Sequence, residues 1–316
     1  LLAIGKLLGT EYAMTLFLAG ALMVLVASIA HAAFPDRRVA ILAPLLLFVS
    51  PFYYSVGASR LSHMATAVLL GTFALLYLRL FQSDAPGRRP VPGMAFLAGI
   101  LAGLAANIRP LTAAAFLLPF LPALVVQAFS RPRKRTAFVL LMGAGFLAMS
   151  ALTLMYFKAI TGDFFKSPIT YYHSSYTLGP NFLFVSLGLP LANLANNIVR
   201  MNAFLFGFPI SLMLLAGLAL CSKTTTADRA ALGILGSFAA LYMLWGFPGV
   251  GDLGPVYYFE CIIPLVLLSS RGFLCLHDFM KSRFPRLGRF PSNFLLLSVV
   301  IGCLTFVPER ITHLGR

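Results

Sequence analysis

Apolar runs long enough to cross a bilayer follow one another along most of the chain, separated by short polar connections. A helix needs about 20 apolar residues to traverse the hydrocarbon layer. Runs near 12–31, 38–55, 61–81, 93–108, 111–128, 136–157, 202–221, 229–246, 256–275 and 293–308 predict about ten such helices. The run near 93–108 is short and rich in glycine, as in a tilted helix packed closely on a neighbour. One connection is long, 158–200, and begins KAITGDFFKSPITYYHSSYTLGPNF before turning half-apolar. Its aromatic density argues against disorder. The segment LFVSLGLPLANLANNIVR fits a short amphipathic helix lying along the interface. The expected fold is all-α: one polytopic transmembrane helical bundle over 1–316, with an extracytoplasmic loop at 158–200 carrying short interfacial helices.

The polar connections alternate in charge. PDRR at 35–38, GRR at 87–89, RPRKR at 131–135, SKTTTADR at 222–229 and KSRFPRLGR at 281–289, with Arg79 and Arg271, hold sixteen of the 24 Lys and Arg. The remaining eight are spread over the connections between these. The positive-inside rule places the first set in the cytoplasm. Asp252, Tyr257, Tyr258 and Glu260 then lie on the outer face, together with Arg60, His63, Arg109 and the 158–200 loop with Asp163, Tyr171 and Tyr172. An integral protein of a bacterial inner (plasma) membrane, its polar rim facing the periplasm or cell exterior, is expected.

Composition removes the competing classes. The chain is 59% hydrophobic and only 10% charged, with a mean hydropathy of +0.90, whereas a soluble domain is roughly a quarter charged. A formal charge of +15 would point to nucleic acid only on a soluble surface. Here it reports topology, and no nucleic-acid partner is expected. The four cysteines sit in apolar segments without a CxxC, which predicts small buried hydrophobes rather than disulfides or metal ligands. No metal-ligand spacing is visible, and no cofactor is implied. The chain opens on Leu1 with no basic leader before an apolar core, so no signal peptide is identified.

Each rim residue has a plain reading beside a chemical one. Tyrosines at membrane ends commonly form interfacial belts, arginines there snorkel to headgroups, and a histidine just inside a helix is often a packing residue. Glu260 is harder to dismiss, because an ionisable group one turn into a span is a functional candidate by default. Arg109 is fixed next to Pro110, which restricts its backbone. The polar groups gather at one leaflet boundary and none lies mid-span. A secondary transporter would place them near the midplane, with repeat symmetry.

Four stretches resemble the GT-C glycosyltransferases, polytopic enzymes that use polyprenyl-phosphate sugars: SPFYYSVGASRLSHMATAVLL at 50–70, GLAANIRPLTAAAFLLP at 103–119, YFKAITGDFFKSPITYY at 156–172 and GPVYYFECIIPLVLLSSRG at 254–272. The similarity is closest to the protein O-mannosyltransferase (glycosyltransferase family 39) and aminoarabinose transferase group. It implies hexosyl transfer, mannosyltransferase-like, from a polyprenyl-phosphate donor to a glycan, lipid or protein acceptor. Arg109 and Arg60 would meet the donor phosphate. His63, Asp163, Tyr171, Tyr172, Asp252, Tyr257, Tyr258 and Glu260 would contact the sugar. The chain departs from the family twice. The acidic first outer loop expected to supply the base would lie upstream of Leu1, so the chain reads as a fragment. Val256 also stands where relatives commonly carry Arg. The alternative is a transporter or flippase of lipid-linked sugars.

Overall fold

The computed structural model describes residues 9–59, 61–81, 91–129, 133–168, 171, 188–208, 210–221, 223–243, 250–251, 253–287 and 289–314. Among them the chain is almost wholly helical, with one antiparallel two-residue pairing, β1 (Val250–Gly251) against β2 (Gly254–Pro255). Among the described residues five helices are long and apolar enough to cross a membrane, or six if one bent pair counts as a single span. This is compatible with an integral membrane protein.

Sequence chemistry sets where the elements start and stop. Helix α1 (Glu11–Ala33) is one apolar run that ends before Pro35, a residue unable to continue it. Asp36 then caps α2 (Arg37–Phe48), its Oδ1 accepting from the Arg38 amide at 2.9 Å. The predicted span 38–55 is broken. At Val49–Ser50 the chain bends by 57° into α3 (Pro51–Ala58). The Ser50 hydroxyl accepts from the Tyr53 amide and Pro51 occupies the first helical turn, a start signal placed inside an apolar run.

Beyond it come α4 (His63–Phe81), α5 (Pro92–Ile108), α6 (Pro110–Leu117), a 3-10 turn over Leu118–Phe120, α7 (Leu121–Phe129) and α8 (Arg133–Thr161). Helix α9 (Gly188–Phe204) covers part of the expected interfacial segment. The predicted span 202–221 is not a helix. After Phe204 the backbone turns, with Gly207 at φ +75°. The Ser211 hydroxyl accepts from the Phe206 amide at 3.2 Å, and Asn202 Oδ1 accepts from the Leu212 amide at 2.7 Å. Only α10 (Met213–Ala216) and a 3-10 turn over Gly217–Leu220 follow. Helices α11 (Thr226–Met243), α12 (Ile262–Arg283) and α13 (Phe290–Leu314) complete the chain, α12 being preceded by a 3-10 segment, Val256–Cys261.

Packing ranks the helices. In the most apolar window of α4 78% of residues are buried, and in that of the continuous segment Val256–Arg283, the 3-10 segment with α12, 83%, so these two form the centre. The same figure for α8 is 17%, leaving it on the periphery with Leu140, Leu147 and Met155 exposed. Helix α8 nevertheless touches α5 backbone to backbone. A Cβ on Gly99 would fall on the Met142 carbonyl, and one on Gly145 would fall on the Phe96 carbonyl.

Charges gather at two separate ends. Arg38 bridges Asp36 (2.8 Å) and Asp278 (2.7 Å), and its hydrogen bond holds the Asp36 carboxyl below the usual carboxylate range. Arg271 pairs with Asp228 at 3.2 Å nearby. Glu260 stands eighteen residues before Asp278, roughly 27 Å away along the helix at 1.5 Å per residue.

The basic end also corrects the reading of the cysteines. Cys221 and Cys275 form a disulfide, their Cα atoms 5.3 Å apart, while Cys261 is free and buried. The cause is a glycine contact one turn away. Added Cβ atoms on Gly217 and Gly272 would strike the Gly272 and Leu214 carbonyls, so the two backbones meet and carry the following cysteines together.

Candidate functional site

Arg109 is the hinge on which the site is built. It ends α5 and begins α6 at once, with φ −146° and ψ 82°, because Pro110 excludes a helical conformation at the residue before it. Its amide still donates to the Ala105 carbonyl at 2.8 Å, and its carbonyl accepts from the Ala113 amide at 2.9 Å. Both helices are therefore satisfied while the side chain turns toward α12. Its Nε donates to Thr112 Oγ1 at 3.1 Å, and the Thr112 hydroxyl shares a hydrogen bond with the Tyr242 hydroxyl at 2.5 Å. The guanidinium carbon lies 5.6 Å from the centre of the Tyr257 ring, in cation–π range. Tyr257 in turn stacks on Tyr242 at 5.6 Å.

Glu260 is delivered from below. The β1–β2 pairing returns the chain at Gly254, where a φ of +91° and the Phe204 ring, which an added Cβ would meet at 2.7 Å, both oppose a side chain. Ser55 Oγ anchors this turn by donating to the Leu253 carbonyl at 3.2 Å. The 3-10 segment that follows points Glu260 into the core. Its carboxylate is fully buried and faces two bases: His63 Nδ1 at 3.3 Å from Oε1 and 3.4 Å from Oε2, and Arg109 Nε at 3.6 Å from Oε1. The Arg109 separation is too long for a hydrogen bond, and Oε1 has no aligned donor. The triad is thus held by charge more than by directed bonds. Phe259 walls it in, 6.3 Å edge-on to His63 and 5.3 Å from Phe52.

Of the residues expected from sequence, the structure brings together Arg109, His63, Glu260, Tyr257 and Tyr258. Only part of this group reaches the surface. The side chain of Arg109 is 17% exposed, against 2% for His63 and none for Glu260. Tyr258 is also buried, 5.4 Å from Tyr242, while Tyr257 is half-buried beside Arg109. A ligand at this rim meets Arg109 and Tyr257 first. His63 and Glu260 lie behind Arg109.

Asp163 and Tyr171 occupy a separate turn after α8. Asp163 Oδ1 accepts from the Phe165 amide at 2.9 Å, capping its own loop, and Lys166 lies 4.7 Å over the Tyr171 ring. Helix α8 is joined to the hinge at Met149, whose carbonyl accepts from Asn107 Nδ2 at 3.3 Å. It then runs twelve more residues, about 18 Å, before that turn begins. Arg60, Tyr172 and Asp252 lie outside the described residues.

Thr112 and Tyr242 were not expected. Thr112 lies one turn after Arg109 on the same helix, where i, i+3 side chains meet. Tyr242 stands at the rim end of its span, so both carried a weak signal. Among the described residues no three His, Cys, Asp or Glu side chains converge as a metal site requires. No protein-family model, curated protein or solved structure matches the chain.

Proposed function

We propose that the protein transfers a sugar from a polyprenyl-phosphate donor to an acceptor at the extracytoplasmic face of a bacterial plasma membrane, as part of a GT-C-like bundle of about ten helices. The supporting observation is Arg109: a rim cation with a fixed backbone, backed by a fully buried carboxylate and flanked by Tyr257. In the reaction the acceptor hydroxyl oxygen attacks the anomeric carbon and gives its proton to a carboxylate base. The bond from that carbon to the phosphate oxygen breaks, and the electron pair leaves with the phosphate. Arg109 meets the charge that develops there. Glu260 is enclosed between Arg109 and His63, so the base is another residue. Tyr257, half-buried beside Arg109, is the aromatic ring that the sugar meets there.

The test uses the full-length protein in vesicles with a labelled polyprenyl-phosphate hexose. Arg109→Ala is expected to lower release of polyprenyl phosphate about 10²- to 10³-fold. Arg109→Lys, which keeps the charge but loses the contact to Thr112, should recover part of it. Undiminished release by the alanine variant would remove Arg109 from the reaction. Movement of the lipid-linked sugar across the membrane without release of free carrier would establish transport instead.

Orientation has its own measurement. The Cys221–Cys275 pair lies at the arginine-rich end, which this reading puts in the cytosol, where thiols are kept reduced. The structure joins the two as a disulfide, so their redox state in cells decides the side: in a protein whose Cys261 and Cys303 are serine, this reading expects the pair to be open and both thiols to react with a membrane-permeant maleimide without reductant. Resistance until a reductant is added would put that end in an oxidising compartment and reverse the topology.

A further inference from the structure

A cavity of about 520 Å³ lies between α1, α4, α6–α7, α11 and α12. Its walls are hydrocarbon and aromatic, with Ile29, Tyr77, Phe116, Phe120, Ile263 and Leu267 among them. The volume falls within the roughly 300–1,000 Å³ of sites that enclose a small molecule. Such walls give water few partners. The cavity opens between α7 and α11, where Pro122, Thr226 and Arg229 are exposed.

The mouth is cationic. Arg229 lies in the first turn of α11 and has no carboxylate partner among the described residues. The nearest acid in sequence, Asp228, is already committed. It pairs with Arg271 and accepts from the Thr225 amide at 2.7 Å, closing the helix cap. Arg271 lies 5.6 Å over the ring of Phe34, itself a cavity residue, and Lys223 is exposed close by in the chain. Arg229 precedes Tyr242 by thirteen residues, so this mouth is about 20 Å along α11 from the Arg109 rim.

We propose that this cavity binds a glycerophospholipid with an anionic headgroup, one acyl chain filling the apolar space and the phosphate resting on Arg229. Charge complementarity selects this occupant. An apolar slot opening sideways in the membrane admits a hydrocarbon chain, and a guanidinium at a helix end with no carboxylate partner among the described residues meets the phosphate level. The site is independent of sugar transfer.

The test is lipid retention by the full chain, released from nanodiscs of equal phosphatidylglycerol and phosphatidylcholine and weighed by native mass spectrometry. The wild type should retain phosphatidylglycerol preferentially. Arg229→Gln, at an exposed position, should lower that preference about fivefold. Ala227→Trp, which fills the cavity near its mouth, should lose retained lipid of both kinds. Arg109→Ala should leave retention unchanged. Equal retention of the two lipids by the wild type, or an unaltered preference in Arg229→Gln, would overturn the assignment. So would displacement of phosphatidylglycerol by added polyprenyl phosphate, which would give the cavity to the carrier lipid.

Discussion

Glu260→Ala is expected to cost about 3–5 kcal/mol of unfolding free energy, the loss typical when one partner of a buried charge pair is removed. The carboxylate is fully enclosed, and the residues it faces, His63 and Arg109, would be left as neighbouring bases with nothing between them. Arg109 retains its bond to Thr112 and its ring contact with Tyr257, so the damage centres on the buried side. Glu260→Gln keeps the shape and removes only the charge, and should fall between wild type and alanine. Chemical unfolding in detergent measures both. In a double-mutant cycle with Arg109→Ala the coupling should exceed about 0.5 kcal/mol, as expected of contacting residues. A Glu260→Ala protein within about 1 kcal/mol of wild type would mean that the carboxylate does not hold the hinge.

The second large effect lies far from this chemistry. Gly99→Leu should destabilise the fold by about 3 kcal/mol or more, at or beyond the upper end of ordinary overpacking. The new Cβ would meet the Met142 carbonyl, part of a helix backbone that cannot rotate away as a side chain can. Gly145 makes the reciprocal contact with the Phe96 carbonyl, and a Cβ added at Gly103 would lie 2.6 Å from Met149 Cβ, so strain at one position spreads along the seam. Gly143 provides the control. It is on α8 with open space around its Cβ position, and Gly143→Ala should be neutral or slightly stabilising, since alanine favours helix over glycine. Equal tolerance at positions 99 and 143 would show that α5 and α8 do not rely on that approach.

Hydropathy made much of the architecture visible in advance. The runs at 12–31, 61–81, 93–108 and 136–157 correspond to helices at nearly those bounds, while 256–275 begins as a 3-10 segment and its helix runs on to Arg283. It failed where local chemistry overrode an apolar average. The Ser50–Pro51 helix start bends one run, and Gly207 with the Asn202 and Ser211 caps unwinds another. The disulfide was hidden because a meeting of backbones at Gly217 and Gly272 decides it, and two cysteines 54 residues apart carry no signal of that.

The site was half legible. Charge alternation put His63, Arg109, Tyr257 and Glu260 at one rim, and the structure joins them. Alternation gives height along the membrane normal and says nothing of rotation about each helix. That rotation turns Glu260 inward and leaves Arg109 as the accessible cation.

The seam between α5 and α8 also bears on how anything reaches Arg109. Two backbones in contact leave no crevice, and prising them apart would expose peptide dipoles to oil. That flank is a closed wall, so a ligand arriving sideways through the bilayer must use another doorway, and one arriving from water must descend onto the rim directly.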